Sequence, residues 1–310
     1  MSALICGSLA YDTIMVFPDR FKEHILPEKV HILNVCFLVP QMRREFGGCS
    51  GNIIYNLNLL GGDGFPMGTI GQDFEPYAKW MSECGIDQKY LKKIDGAYTA
   101  QAFITTDLDD NQITAFHPGA MNNAHENTIP TEDGISLVLI SPDGKDAMIQ
   151  HAQQCVDASI PFVFDPGQGL PMFDGEELLK FVEQATYVCV NDYESQLLQE
   201  RTGLSIQQIA EKVEAAIVTR GGEGSIIHTD GKSIEIPAVK ASAVQDPTGC
   251  GDAYRGGLIY GLMNNLGWEV TGRIAALMGA IKVAHNGTQN HKYSLNEFKG
   301  QYKKEFGQSF

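Results

Sequence analysis

Leu137-Val138-Leu139-Ile140-Ser141-Pro142-Asp143 is an unbroken apolar run that stops abruptly in small and acidic residues. The same pattern recurs along the chain, in Leu4-Ile5-Cys6, Met67-Gly68-Thr69-Ile70, Phe162-Val163-Phe164, Tyr187-Val188-Cys189-Val190 and Ala216-Ile217-Val218-Thr219. These runs end in Gly7-Ser8, Gly71-Gln72-Asp73, Asp165-Pro166-Gly167, Asn191-Asp192 and Arg220-Gly221-Gly222, and helical segments follow. A strand that is apolar at every position is covered on both faces, as strands of parallel sheets are. The chain therefore reads as α/β, with a doubly wound, mostly parallel sheet. Its polar groups gather at the carboxyl ends of the strands, where such sheets bind ligands.

Two regions, Thr13 to Val39 and Tyr98 to His117, alternate instead, which means one covered and one open face. We read them as a small β-sheet lid, with segments about 13–40 and 98–118, inserted into one domain spanning 1–310. The second segment predicts a hairpin turning near Asp107 to Asn111. A turn of Leu108 to Asn111 sets Asp107 opposite Gln112 and Phe103 opposite Phe116, with both rings on one face, where they could clamp a flat ring.

Composition excludes other classes. The 310 residues carry 23 basic and 38 acidic side chains, a net charge of −15, which argues against a phosphate-backbone binder and hence against nucleic acid. Apolar runs far shorter than about 20 residues argue against a membrane span. The N-terminal Met1 to Gly7 lacks a basic leader and runs into the first strand, so a cytoplasmic protein is expected. Seven cysteines without a Cys-x-x-Cys pair, and histidines without ligand spacing (His285 and His291 stand six apart), point to free thiols rather than disulfides or a structural metal.

The chemistry-bearing segments lie at helix starts. In Asp246-Pro247-Thr248-Gly249-Cys250-Gly251-Asp252 the backbone N–H groups of Gly249, Cys250 and Gly251 can converge on an anion at the positive helix end. A carboxylate at Asp252 beside that anion suits a base that takes a proton from an attacking hydroxyl. Phe46-Gly47-Gly48-Cys49-Ser50-Gly51-Asn52 is a second glycine-rich start, where Asn52 offers a donor and an acceptor to hydroxyls. Asn191 and Glu194, one turn apart, can order Mg²⁺ waters beside phosphates. Thr219-Arg220-Gly221-Gly222-Glu223-Gly224 can cradle a nucleotide, and Asp12 lies just past the first strand. Each segment taken alone also reads as a capped helix or a glycine turn.

In their joint order these segments resemble the ribokinase-like (PfkB) family of sugar and nucleoside kinases over essentially the whole chain. Within it, Phe17-Pro18-Asp19-Arg20-Phe21, Leu26-Pro27-Glu28, Phe37-Leu38-Val39, Thr105-Thr106-Asp107 and Phe116-His117-Pro118-Gly119-Ala120-Met121 resemble bacterial adenosine kinases. The resemblance implies a ribokinase-like fold with helices on both faces of the sheet. It also implies transfer of the ATP γ-phosphoryl group to the 5′-hydroxyl of adenosine, giving AMP and ADP, with Mg²⁺, as in purine salvage. It makes Asp252 the general base, with Gly249, Cys250 and Gly251 as the anion hole. Ser8, Asp12, Cys36, Gly48, Asn52 and, less firmly, Gln168 fall on the nucleoside side. Asn191, Thr219, Gly221 and Gly224 fall on the ATP side, with Asn191 and Glu194 toward Mg²⁺ through water. A monovalent cation such as K⁺ is admitted near Asp246.

Two positions depart from the family pattern. Gln112 stands where eukaryotic adenosine kinases carry a lid arginine, so another cation must meet the phosphates. Cys250 replaces a usual alanine, which places a thiol at the anion hole and predicts sensitivity to thiol reagents. A sugar kinase, or a kinase of another nucleoside, shares Asp12, Gly48 and Asn52; a nucleotide-binding regulator without catalysis would not need Asp252, Asn191 and Glu194 together. Monomer and homodimer both remain open.

Overall fold

Within each apolar run, successive side chains point to opposite faces, and that alternation decides which helices cover which side of the sheet. The computed structural model describes residues 2–25, 27–32, 34–109, 111–131 and 134–310, apart from the side chains of Glu28, Lys29 and Val30. Leu26 of the Leu26-Pro27-Glu28 segment and Asp110 of the expected turn lie outside the described residues.

The first half of the chain forms β1 (Ser2–Cys6), β2 (Ala10–Val16), α1 (Phe21–His24), β3 (Gln41–Gly47), α2 (Cys49–Leu59), β4 (Gly64–Ile70), α3 (Glu75–Glu83), β5 (Tyr90–Lys93), β6 (Ala100–Thr106), β7 (Gln112–His117) and β8 (Ile135–Ile140). There follow α4 (Lys145–Asp157), β9 (Phe162–Phe164), α5 (Gly175–Gln184), β10 (Tyr187–Asn191), α6 (Asp192–Thr202), α7 (Ile206–Ala210) and β11 (Ala215–Thr219). The chain closes with β12 (Ser225–Thr229), β13 (Lys232–Ile236), α8 (Cys250–Met263), α9 (Trp268–Val283) and α10 (Leu295–Phe306).

The large sheet runs β13-β12-β11-β10-β9-β8-β1-β4-β5. The six apolar runs are its consecutive strands β11 to β4, all parallel; only β12 and β13 at one edge are antiparallel. Ile5, Leu139, Cys189 and Ile217 pack under α2, α3, α8 and α9, while Cys6, Ile140, Val190 and Val218 pack under α4 to α7. Both faces are thus covered, as the fold requires. The chain builds outward from β1 in one direction and from β8 in the other, so the crevice between their carboxyl ends is where a ligand site belongs.

A separate four-stranded sheet, β3-β2-β6-β7, stands apart from it. Strands β6 and β7 lie between residues 100 and 117. Strand β2 begins at Ala10, and its antiparallel partner β3 lies at Gln41–Gly47, beyond the expected 13–40. Four of the seven β3 residues, Gln41-Met42-Arg43-Arg44, are exposed, so the strand carries no apolar alternation to be read. Between these strands Phe17, Phe21 and Phe37 cluster, with centroids 4.8–5.8 Å apart, and the backbone N–H of Phe21 donates to Asp107 Oδ2 at 2.9 Å. Phe17, Phe21, Phe37 and Asp107 therefore tie the segment between β2 and β3 to the β6–β7 hairpin.

The hairpin register differs from the expected one by a single residue. Asp107 pairs with Asn111 through N–H to O at 3.0 Å, and its carboxylate accepts the N–H groups of Asp109 and Asn111 at 2.9 Å each. An aspartate that satisfies the turn's own donors closes a loop one residue shorter than the one assumed. Phe103 consequently pairs with Ala115 and Phe116 with Ala102, which puts the two rings on opposite faces and overturns the two-ring clamp. Ala102 in turn pairs with Asp12, so Phe116 shares the Asp12 face and Phe103 does not.

Candidate active site

Helix α8 starts at the end of the Asp246–Cys250 turn. Gly249 caps it with φ 78°, a conformation that favours glycine. The N–H groups of Gly249, Gly251 and Asp252 have no acceptor among the described residues, while that of Cys250 is turned to Pro247 O at 3.2 Å. Three free donors at a helix N-terminus attract an anion, with Cys250 contributing less than its neighbours. Burial pushes the Cys250 thiol up to about 11, so it is not an activated thiolate.

Asp252 opens into the same space. Burial raises its pKa to about 6; the hydrogen bond from Asn52 and the charge of Arg255 oppose the rise, while Asp165 and Asp12 add to it. The Asn52 Nδ2 donates to Asp252 Oδ2 at 2.8 Å. Asn52 is carried by α2, whose start packs against the loop after β1. Gly48, at φ 84°, leaves room for that loop: a Cβ there would meet Ser8 O at 2.5 Å and Ala10 N at 2.7 Å. Ser8 spends its hydroxyl within the crevice, accepting the Cys49 N–H at 3.1 Å.

Asp12 stands across from them on β2. Burial lifts its pKa to about 6, and the nearby carboxylates Glu45 and Asp246 add to the rise. It accepts no hydrogen bond among the described residues, so its oxygens are free for ligand hydroxyls.

Behind the anion loop lies a buried charge cluster. Arg255, one turn into α8, forms a two-pronged pair with Asp165 (Nε–Oδ2 2.5 Å, Nη2–Oδ1 2.7 Å). Its Nη1 donates to Gly251 O at 3.2 Å, and its Nη2 lies 3.9 Å from Glu194 Oε2. Burial opposes the guanidinium charge, and Asp165, Cys189 and Glu194 together more than offset it, so Arg255 stays protonated. Glu194 makes a capping box with Asn191: Asn191 N and Nδ2 each donate to one Glu194 oxygen at 2.8 Å, and Glu194 N donates to Asn191 Oδ1 at 2.7 Å. Asn191 pairs with Thr219 on β11, whose hydroxyl is given back to Val190 O at 3.4 Å. Gly221 and Gly224 form the adjoining β11–β12 turn, with Arg220 N donating to Gly224 O at 2.7 Å.

The fold thus brings Ser8, Asp12, Gly48, Asn52 and Gly249–Asp252 to one crevice, and joins Asn191 and Glu194 to it through Arg255. Cys36 is exposed in the coil before β3, and Gln168 is exposed just after β9; neither side chain makes a hydrogen bond among the described residues.

Three contributors escaped the sequence reading. Arg255 lay inside the quoted motif and Asp165 at a strand end, so a buried charge in each apolar neighbourhood was the available signal. Gln289, in a glycine- and asparagine-rich stretch, carried none. It is buried; its Nε2 donates to Asn52 Oδ1 at 3.0 Å and to Tyr77 Oη at 2.6 Å, and its Oε1 accepts Trp80 Nε1 at 3.0 Å.

Similarity to known proteins agrees with this geometry. Residues 9–294 match the model of the pfkB family of carbohydrate kinases. A nucleoside kinase of Methanocaldococcus jannaschii is 31% identical over 266 residues, 85% of this chain and 87% of that protein. The structure of Burkholderia thailandensis nucleoside kinase with inosine superimposes with a TM-score of 0.91 at 49% identity, covering 100% of both chains; the same enzyme is also known in complex with ADP-inosine. Adenosine kinase from Sinorhizobium meliloti shares the fold, with a TM-score of 0.78, at 20% identity over 97% of this chain and 98% of that one. The likeness is therefore to nucleoside kinases rather than specifically to bacterial adenosine kinases. The chain belongs to the pfkB family of carbohydrate kinases, ATP-dependent enzymes that phosphorylate nucleosides or sugars.

Proposed function

We propose that this kinase transfers the γ-phosphoryl group of ATP to the 5′-hydroxyl of purine nucleosides, adenosine and inosine among them, giving the nucleoside monophosphate and ADP. The observation that carries the reading is the hydrogen bond from Asn52 to Asp252 at the mouth of the anion loop. It sets a hydroxyl-recognising amide beside a carboxylate that is largely ionised at neutral pH.

In this reading Asp12 and Asn52 hold the ribose hydroxyls, with Ser8 and Gly48 shaping the floor. Asp252 takes the 5′-hydroxyl proton as the oxygen attacks in line. The N–H groups of Gly249, Gly251 and Asp252 receive the charge that develops on the phosphoryl oxygens, at the positive end of α8. Arg255 braces the loop through Gly251 O. Arg43 on β3, 3.9 Å from Asp246 Oδ2, is the cation we assign in place of the lid arginine absent at Gln112. The Thr219–Gly224 turn lies alongside the nucleotide. The small sheet acts as the lid that excludes water.

Both Glu194 oxygens already accept a hydrogen bond, and no cluster of three or more potential metal ligands occurs among the described residues. Asn191 and Glu194 therefore fit a Mg²⁺ that keeps its waters and is held mainly by phosphates. Bound there, the ion supplies charge neutralisation on the transferring group.

With Phe116 alone on the Asp12 face, the base meets one aromatic plane, which any purine can stack on. That supports a breadth that includes inosine as well as adenosine. The test is ADP release from ATP and Mg²⁺ with adenosine, inosine, guanosine, cytidine, ribose and fructose in turn. Adenosine and inosine should be turned over with kcat/KM within about tenfold of each other, and ribose about a hundredfold less well. Ribose or fructose as the better substrate would overturn the nucleoside reading in favour of a sugar kinase.

A further inference from the structure

Lys282, in the last turn of α9, is fully buried. Its ammonium donates to the main-chain oxygens of Asp246 at 2.8 Å and His285 at 3.3 Å, and lies 4.0 Å from Asp246 Oδ1. The same carboxylate accepts Thr248 N through Oδ1 and Gly287 N through Oδ2, both at 2.9 Å. One tethered charge and one carboxylate therefore join three pieces of chain: the end of α9, the 285–287 turn and the loop that leads into the anion hole.

A monovalent cation near Asp246 would need these oxygens. Hard main-chain carbonyls beside a carboxylate are the donors an alkali ion takes, and here a covalently attached ammonium already occupies them. A second cation a few ångströms away would be repelled in a poorly hydrated space. The residues present do not fit a bound K⁺.

We infer that Lys282 is a positioning residue that serves as a built-in monovalent cation: it fixes the Asp246 and His285 carbonyls, and through them the loop that presents the N–H groups of Gly249, Gly251 and Asp252. The enzyme accordingly works without added K⁺. This rests on the reading of that loop as the phosphoryl-binding element. The Asp246–Pro247 peptide is planar and the proline ring fixes φ at the next residue, so holding the carbonyl of Asp246 inward constrains how the chain enters Thr248 and the groups that follow. Lysine suits the task because it is a compact point charge on a long apolar stem that can cross the helix packing.

The experiment compares wild type and Lys282→Ala in choline, sodium and potassium chlorides at equal ionic strength, reading both steady-state turnover and thermal melting. Wild-type kcat and Tm should be unaffected by the choice of cation, within about twofold for kcat. Lys282→Ala should lose about ten- to a hundredfold in kcat in choline. Potassium should restore a large part of that loss and raise the variant's Tm, with little change in KM for the nucleoside. A wild-type enzyme that requires K⁺, or a variant that melts and turns over alike in choline and potassium, would overturn the inference. If Lys282→Ala does not fold in choline, refolding it in potassium reads the same rescue, and the wild-type salt comparison decides independently. If wild type phosphorylates no acceptor in any salt, the functional reading fails while the melting comparison still tests the role of Lys282.

Discussion

The side-chain amide of Asn52 donates to the carboxylate of Asp252 at 2.8 Å, joining two helix starts that are 200 residues apart in the chain. Neither group is ordinary for its surroundings: the amide is buried, and the carboxylate carries a pKa of about 6. A buried carboxylate that loses its proton just below neutral pH suits a general base at the acidic end of its working range.

Replacing Asp252 by Asn should lower kcat by about 10² to 10⁴ while ATP binding survives. Since the base must be ionised, wild-type kcat/KM should fall as pH drops through about 6. Steady-state kinetics across pH check both, and a variant with near-normal turnover would remove Asp252 from its role.

Gln289 orients Asn52 by holding Oδ1, which leaves Nδ2 for Asp252. Gln289→Leu removes that hold and the acceptor of Trp80 Nε1. We expect about a tenfold loss in kcat/KM for the nucleoside with KM for ATP unchanged. Equal losses toward both substrates would mean that Gln289 supports only the fold.

Asp12 should trade stability for binding. Its folded pKa of about 6 lies above the ordinary 3.8, because burial and the charges of Glu45 and Asp246 disfavour ionisation. Folded chain thus holds the proton more tightly than unfolded chain, and stability falls as pH rises through that window. Asp12→Asn should raise Tm by about 2 to 4 °C near neutral pH and by much less near pH ~4, while abolishing measurable nucleoside binding. Calorimetric melting at the two pH values, with nucleoside titration, provides the measurement.

Phe116 and Phe103 should behave differently because they stand on opposite faces. Phe116→Ala should raise KM for adenosine by about ten- to a hundredfold, with KM for ATP little changed. Phe103→Ala should leave it within about twofold. The reverse pattern would place the base on the other face of the small sheet.

The hairpin shows how far alternation can be read. That residues 98–118 form two alternating strands follows from their side chains. Which residues face one another depends on whether Asp107 or its neighbour closes the turn, and a carboxylate choosing among nearby N–H groups leaves no trace in hydrophobic pattern. Strand β3 was hidden for a related reason: with Gln41 to Arg44 exposed it needs no apolar residues there, so its side chains carry no alternation to read.

By itself the sequence determined the parallel core, because strands buried on two faces are apolar through most of their length, and β1, β4, β8, β9, β10 and β11 each carry such a run. It also determined the two glycine-rich helix starts and the polar or glycine residues at the strand ends, since backbone approach and helix-end electrostatics demand particular residue types locally. Only the tertiary structure decided that Gln289 would hold Asn52, that Asp165 and Glu194 would meet Arg255, and that Lys282 would fill the oxygens beside Asp246. Each is a polar or charged side chain whose burial is tolerable only when a partner from a distant segment satisfies it, and no local pattern records which partner folding delivers.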